Sequence, residues 1–253
     1  MRVLFLFLVL LISCSPYCDY SHIKVVEVID GDTVKLANGQ LLRYIGIDTP
    51  EVRIKKGNIF EYNPQPFSLE ATQFNRELVE NKFVRIEFDI EKYDRYGRIL
   101  GYCFLEDSFV NAALLEEGYA VVYTRPPNVK YTDLFVRRQR EARLNKKGMW
   151  GVYETIGSGE AQEYINQIRS VRGRVVDTYK SANAVFLNFG PDYKTDFTVV
   201  IFNDCVKFFR KESIEPEIFY KGKMIEVSGR IRAYNGPEII VCTPSQIHIL
   251  DEK

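Results

Sequence analysis

The sequence predicts a mixed α+β, mainly β chain: an OB-type five-stranded barrel with helices, followed by a second, OB-fold barrel. Three observations carry this prediction. Short alternating or apolar runs recur between turns rich in glycine, asparagine and aspartate; helical periodicity is confined to brief interruptions; and a polar, glycine-rich stretch divides the pattern near residue 155. The chain has 253 residues, 46% hydrophobic and 27% charged, which is ordinary globular composition, long for one small domain and comfortable for two. The expected division is a leader and short tether over 1–21, a first domain over 22–154, a linker over 155–163 and a second domain over 164–253.

The leader is "MRVLFLFLVLLISCSPYCDYS". It has one basic residue, then an apolar run from Val3 to Ile12 that is too short to span a bilayer as a stable helix. A buried N-terminal helix is the competing reading, but the run has no 3.6-residue periodicity and Pro16 stops it. An export signal is therefore expected. Its ending, "LISC", resembles the lipobox of bacterial lipoproteins, which implies that Cys14 becomes the acylated N-terminus of a membrane-anchored protein on the extracytoplasmic side. An ordinary signal-peptidase site, giving a secreted protein, is the alternative.

In the first domain, "IKVVEVID", "TVKLANGQLLRYIGI", "FVRIEFDIEKYD" and "RILGYCFLED" supply the strands, with turns at Asp30-Gly31 and Asn38-Gly39. Ser68 is the expected N-cap of a helix that places Leu69, Phe74 and Leu78 on one side. "VNAALLEEGY" is a shorter helix ending at Gly118, and a basic helix runs from about Thr132 to Lys146. "ETIGSGEAQE" reads as a flexible linker. Beyond it, "SVRGRVVDTYK", "NAVFLNFG", "TDFTVVIF", "KMIEVSGRIRAY" and "EIIVCTPSQIHIL" are five strands with a helical insert after the third and an Asn235-Gly236 hairpin, the layout of an OB-fold.

The chain has 34 basic and 34 acidic residues, so bulk attraction to a polyanion is absent; the basic segment from Arg125 to Lys147 is either a solvated helix face or a phosphate-steering surface. Without Cys14, four cysteines remain (Cys18, Cys103, Cys205 and Cys242), and spacing does not pair them. With only His22 and His248 and no Cys-x-x-Cys, zinc is not expected.

The chemistry gathers in three stretches. "VIDGDTVKL" leaves Asp32 with no duty in the turn that Asp30 and Gly31 make, "RYIGIDTPE" holds Arg43, Asp48, Thr49 and Glu51, and "DRYGR" supplies Tyr96 and Arg98. Asp32 and Asp48 are hard oxygen donors of the kind Ca²⁺ takes. The arginines offer planar forks for a phosphate, and the remaining carboxylate can activate water. Such a set suits phosphodiester hydrolysis, in which attack builds extra negative charge at phosphorus.

In this order, "IDGDTVKL", "RYIGIDTPE", "DRYGR" and "GMW" resemble the thermonuclease, or staphylococcal nuclease-like, family over about Ile23 to Tyr153. The resemblance implies a Ca²⁺-dependent nuclease acting on DNA, with RNA as a further candidate substrate, with little sequence preference and leaving 3′-phosphate ends. It implies that Asp32, Asp48 and the carbonyl of Thr49 bind the metal, that Asp30 supports them, that Glu51 is the general base, and that Arg43 and Arg98 hold the phosphate. Tyr96 and Tyr123 are candidate substrate contacts, Tyr123 being equally able simply to close a strand. The segment after Glu51 is longer than in the compact secreted members. The second domain resembles OB modules appended to nucleases and helicases, which implies Tyr179, Phe186, Phe202 and Tyr234 as base-stacking candidates, with Arg172, Arg174, Lys180, Arg230 and Arg232 near the nucleic-acid backbone. A non-catalytic nucleic-acid- or protein-binding surface lipoprotein on the same fold is the alternative function.

Overall fold

The computed structural model describes residues 19–57 and 59–250. The expectations for the leader, Cys14 and Cys18 fall outside them. Among the described residues no helix is long and apolar enough to cross a membrane.

The first barrel is built from β1 (Ile23–Val28), β2 (Thr33–Leu36), β3 (Leu41–Tyr44) and β4 (Gly46–Asp48), then a hairpin of β5 (Arg53–Lys56) and β6 (Ile59–Tyr62), and α1 (Ser68–Val79). It continues through β7 (Phe83–Glu87), β8 (Ile99–Leu105), β9 (Ser108–Phe109), α2 (Val110–Glu116), β10 (Val121–Tyr123) and α3 (Thr132–Leu144). The strands pair in the order β3-β2-β1-β7-β8, and a parallel pairing of β3 with β8 closes the barrel. Strand β7 shows why: Val84 and Ile86 point inward while Phe83 and Arg85 point out, the two-residue period of a half-buried strand. Val25, Val34, Leu42, Tyr44, Tyr102 and Phe135 fill the interior. Outside the barrel, β10 pairs with β4, setting Val121 opposite Asp48.

Helix α1 differs from the expected pattern. Ser68 is its first helical residue, not its cap, and Leu69 is exposed, whereas Ala71, Thr72, Asn75 and Val79 form the buried face. Small side chains are needed because this helix lies close against the turn that carries Asp32.

The second barrel comprises β11 (Ile156–Gly157), β12 (Ile168–Arg174), β13 (Asp177–Lys180), β14 (Ala184–Asn188), β15 (Thr198–Phe202), α4 (Asn203–Lys211) and α5 (Pro216–Phe219). It ends with β16 (Met224–Arg230), β17 (Arg232–Ala233), β18 (Pro237–Ile240) and β19 (Ile247–Ile249). With β12–β13 and β16–β17 each taken as one bent strand, the pairings run 1-2-3-5-4-1, and β15 lies parallel to β18. The first barrel has the same connectivity, including the parallel closure and a helix between its third and fourth strands. Cys205 on α4 is disulfide-bonded to Cys242 after β18, and Cys103 is free and buried in the first core.

The stretch over 155–163 is folded rather than a free tether. Ile156 pairs in parallel with Val171, and Ile156 and Ala161 are buried in the second core. Two apolar residues in a glycine-rich segment thus outweigh its composition. The barrels are docked on each other. Val121, Ala142, Met149 and Trp150 of the first pack with Ile168 of the second, Arg143 pairs with Glu226, and the Arg169 guanidinium lies 4.1 Å from the Tyr153 ring centre.

Candidate active site

The Asp30–Asp32 turn follows β1 and is held from inside. Asp30 Oδ1 accepts from the Asp32 N–H at 3.0 Å, the Asn75 amide donates to the Asp30 carbonyl at 3.0 Å, and the Tyr44 hydroxyl donates to Asn75 Oδ1 at 3.0 Å. Gly31 is needed for space rather than for a left-handed backbone. A Cβ there would lie 2.7 Å from Thr49 Oγ1 and 2.9 Å from the Ala71 Cβ. The turn therefore sits tight against Thr49, and Asp32 Oδ2 accepts from the Thr49 N–H at 2.9 Å and its hydroxyl at 3.1 Å.

Arg43, on β3 opposite Thr33, lies between the two aspartates. Its Nη1 is 2.9 Å from Asp32 Oδ2, its Nη2 donates to Asp48 Oδ1 at 3.0 Å, and Nη1 also donates to the carbonyls of Tyr44 and Ile47. Glu51 lies at the rim with its side chain 47% exposed, its backbone N–H donating to Gln65 Oε1 at 2.9 Å. Burial, together with the carboxylates of Asp32 and Asp48, pushes Glu51 up to about 7 against the pull of Arg230 and Arg43. Burial also raises Asp32, opposed by Arg43 and reinforced by Asp30 and Asp48. For Asp48 burial acts upward too, but the guanidinium groups of Arg230 and Arg43 outweigh it and hold the carboxyl below its usual range.

Arg230 comes from the second barrel. Expected beside a nucleic-acid backbone on its own barrel, it instead enters the first barrel's site. Its Nε donates to Asp48 Oδ2 at 2.7 Å and its Nη2 to the Thr49 carbonyl at 2.7 Å. Its Nη1 donates to Gln65 Oε1 at 3.2 Å and to the Asn166 carbonyl at 2.7 Å, and Nη2 is 3.7 Å from Glu51 Oε1. The reason is positional: Arg230 ends β16, and β16 packs on β10, which is paired with β4 and Asp48.

The structure thus brings Asp32, Arg43, Asp48, Thr49 and Glu51 together. Arg98 makes no contact with this group: its Nε donates to Asp94 Oδ2 at 2.7 Å and its backbone N–H to Asp94 Oδ1, and Asp94 lines the cavity that Arg43 also lines. Tyr96 is exposed, with the guanidinium of Arg95 4.8 Å from its ring centre. Tyr123 is half-buried under the Arg232 guanidinium, 5.0 Å from its ring centre; it closes β10 and also lines a cavity of about 320 Å³. That cavity adjoins Arg43 and takes in Tyr93, Arg95 and Arg125. A second hollow of about 510 Å³, sharing Tyr123 and Arg125, continues to Asn183, Phe202 and Arg232 of the second barrel.

Among the described residues no group of three or more His, Cys, Asp or Glu side chains is gathered to hold a metal ion. The donors expected from the sequence are two carboxylates and one carbonyl, all hard oxygens of the kind Ca²⁺ takes. A positive guanidinium already rests on Asp48 Oδ2 and the Thr49 carbonyl, so these two atoms converge on a cation, and in this respect the residues fit one. Gln65 and Asn75 escaped the motif reading. Asn75 had a signal, a polar residue four positions from both Ala71 and Val79 on one helix face; Gln65, in a loop, had none.

A family model described as "Staphylococcal nuclease homologue" matches residues 41–152, a span that takes in Arg43, Asp48, Glu51 and Arg98 but not Asp32 or the second barrel. A thermonuclease of Staphylococcus hyicus is 39% identical over 130 residues, covering 50% of this chain and 74% of that protein. The SPbeta prophage-derived endonuclease YokF of Bacillus subtilis (strain 168) is 38% identical over 129 residues, covering 49% of this chain and 42% of that one. Endonuclease YncB of the same organism is 36% identical over 134 residues, 51% and 61% of the two chains.

Proposed function

The chain belongs to the staphylococcal nuclease homologue family, and from that premise we propose that it is a Ca²⁺-dependent nuclease that hydrolyses DNA, and RNA as well, with little sequence preference. The observation that carries the reading is the gathering of Asp32, Arg43, Asp48, Thr49 and Glu51 beside a cavity lined by further arginines.

The reaction adds water across a P–O5′ bond: a new P–O bond forms, the O5′ bond breaks and takes up a proton, and the product ends are a 3′-phosphate and a 5′-hydroxyl. Glu51, with its proton affinity near neutrality, accepts the proton of the attacking water at a carboxylate oxygen. Arg43, clamped by two carboxylates and two carbonyls, keeps a fixed positive charge at the floor of the site, where negative charge grows in the transition state. Arg98 supplies a second fork once substrate phosphate draws it from Asp94. Asp32, Asp48 and the Thr49 carbonyl would hold a bound Ca²⁺, which supplies Lewis-acid stabilisation of the phosphoryl oxygens. The arginine- and tyrosine-lined hollows that run on to the second barrel fit a single strand, phosphates toward Arg95 and Arg125 and bases toward Tyr123 and Phe202.

The Cys205–Cys242 disulfide supports an exported protein, since such bonds persist in oxidising compartments, and the leader supports a lipid anchor on Cys14. The activity is tested by incubating plasmid DNA and RNA with the protein in Ca²⁺, Mg²⁺ or chelator. Degradation in Ca²⁺ alone is expected, and equal cleavage in chelator refutes the cation dependence. Palmitate labelling that Cys14→Ser abolishes is expected, and an unlabelled wild type refutes the anchor.

A further inference from the structure

Arg230 lies 182 residues from Asp48 in sequence, yet its side chain is only 12% exposed and each of its three nitrogens has a hydrogen-bond partner on the first barrel. We propose that Arg230 is a built-in occupant of the cation position, so that a divalent cation and this guanidinium exclude each other on Asp48 and Thr49, and cation loading requires Arg230 to withdraw. The inference rests on the reading that these residues hold a divalent cation.

Two facts make the exclusion strict. First, the shared donors are the same atoms. Asp48 Oδ2 and the Thr49 carbonyl each receive an Arg230 N–H at 2.7 Å, while Ca²⁺ needs those oxygens at about 2.3–2.6 Å. Second, Arg43 already holds the other Asp48 oxygen and Asp32 Oδ2, so while Arg230 stays both oxygens of Asp48 are engaged by guanidinium groups. A cation placed against the guanidinium would also meet its positive charge in a poorly solvated site.

The placement is fixed from several sides. Arg230 is paired opposite Ile168 across the β12–β16 ladder, and the next residue donates its N–H to the Gln167 carbonyl. The Arg230 Nη1 is tied to Gln65 and Asn166, and the Gln65 amide itself donates to the Asn166 carbonyl at 2.8 Å. Because Gln65 Oε1 also accepts the Glu51 N–H, withdrawal of Arg230 loosens the support of the residue proposed as the base. The second barrel therefore sets both how readily the cation enters and how Glu51 is held. A site competent for cation in only a fraction of molecules shows an affinity lowered by that fraction.

The test is calcium titration by calorimetry, repeated with terbium luminescence, on the full chain and on Arg230→Gln, Arg230→Lys and Arg169→Gln. Arg169 sits at the same junction, its guanidinium 4.1 Å from the Tyr153 and 4.7 Å from the Tyr164 ring centre, and touches none of the donors. Arg230→Gln should bind Ca²⁺ at least tenfold more tightly than wild type, Arg230→Lys by a smaller factor, and Arg169→Gln within twofold of wild type. If Arg230→Gln does not fold, as judged by circular dichroism, the threefold or greater tightening expected of Arg230→Lys decides the matter. Equal or weaker binding by the Arg230 variants, or equal tightening in Arg169→Gln, overturns the proposal while leaving the cation site in place. No binding by any form overturns the cation reading and this inference together.

Discussion

Gly31→Ala tests how tightly the Asp30–Asp32 turn is built. An added Cβ would lie 2.7 Å from Thr49 Oγ1, 2.8 Å from Thr49 Cβ and 2.9 Å from the Ala71 Cβ. Ordinary contact between such atoms begins at about 3.5 Å, so the turn, Thr49 and α1 must separate by roughly 0.6–0.8 Å. Gly31 is not among the residues with positive φ, so the cost is overpacking alone, about 1–3 kcal/mol. For a chain of this size that corresponds to a fall in Tm of about 2–12 °C. Activity should suffer more than stability, because Thr49 is both the partner of Asp32 and a proposed cation donor, and a displacement approaching 1 Å can cost about 10²-fold in turnover. Differential scanning fluorimetry and a fluorogenic DNA-cleavage assay read the two effects. Ala71→Gly in the same chain removes one of the contacts, so the pair should couple favourably in a double-mutant cycle, even though glycine inside a helix costs about 1 kcal/mol by itself. A Gly31→Ala protein with wild-type Tm and turnover would refute the close packing on which the site's geometry rests.

The remaining predictions concern proton, phosphate and disulfide. Turnover should rise with pH as Glu51 deprotonates, with a midpoint below the value of about 7 that it has without a cation, because Ca²⁺ beside it favours the carboxylate, and Glu51→Gln should remove that rise along with most of the rate in a pH-rate series. The same raised carboxyl contributes stability that is present below its unfolded value and lost as pH rises through about 7, so Glu51→Gln should flatten the decline of Tm over that window. Arg98→Lys should fold normally yet lose on the order of 10²-fold in turnover, because lysine keeps the charge without the fork; normal turnover would remove Arg98 from the site. Joint replacement of Cys205 and Cys242 by alanine opens a loop with a sequence separation of 37 and should destabilise the second barrel by about 2–4 kcal/mol in urea titration. An unchanged midpoint would show the bond to be idle.

What the sequence disclosed was local. Strand alternation such as that of residues 83–86, the Asn38-Gly39 turn with Gly39 at φ +83°, and the tight grouping of Arg43, Asp48, Thr49 and Glu51 all depend on residues within a few positions of one another. Arg230 was hidden because nothing in "EVSGRIRAY" separates it from Arg232; only the pairing of β16 with β12 and its packing on β10 aim one of the two at Asp48. The disulfide was undetermined for the same reason, since Cys205 and Cys242 meet only once β15 and β18 lie parallel. Helix α1 misled by its chemistry, because its buried face is small and hydrogen-bonding, while Leu69 stands in solvent.

The folded junction changes what the second barrel can do for catalysis. A domain on a slack tether acts by raising local substrate concentration and leaves the chemical centre alone. Here Ile156 and Ala161 belong to the second core, Ile168 shares an apolar cluster with Trp150, and Arg143 pairs with Glu226 across the contact, so separating the barrels requires several contacts to break together. The hollow between them is lined by Tyr123 and Arg125 of one barrel and by Phe202 and Arg232 of the other, where the proposed strand would lie, while Arg230, two residues before Arg232, touches Asp48. On the proposed reading, substrate at Arg232 and a cation at the Arg230 position would act on one short piece of backbone, a physical route by which each would alter the binding of the other.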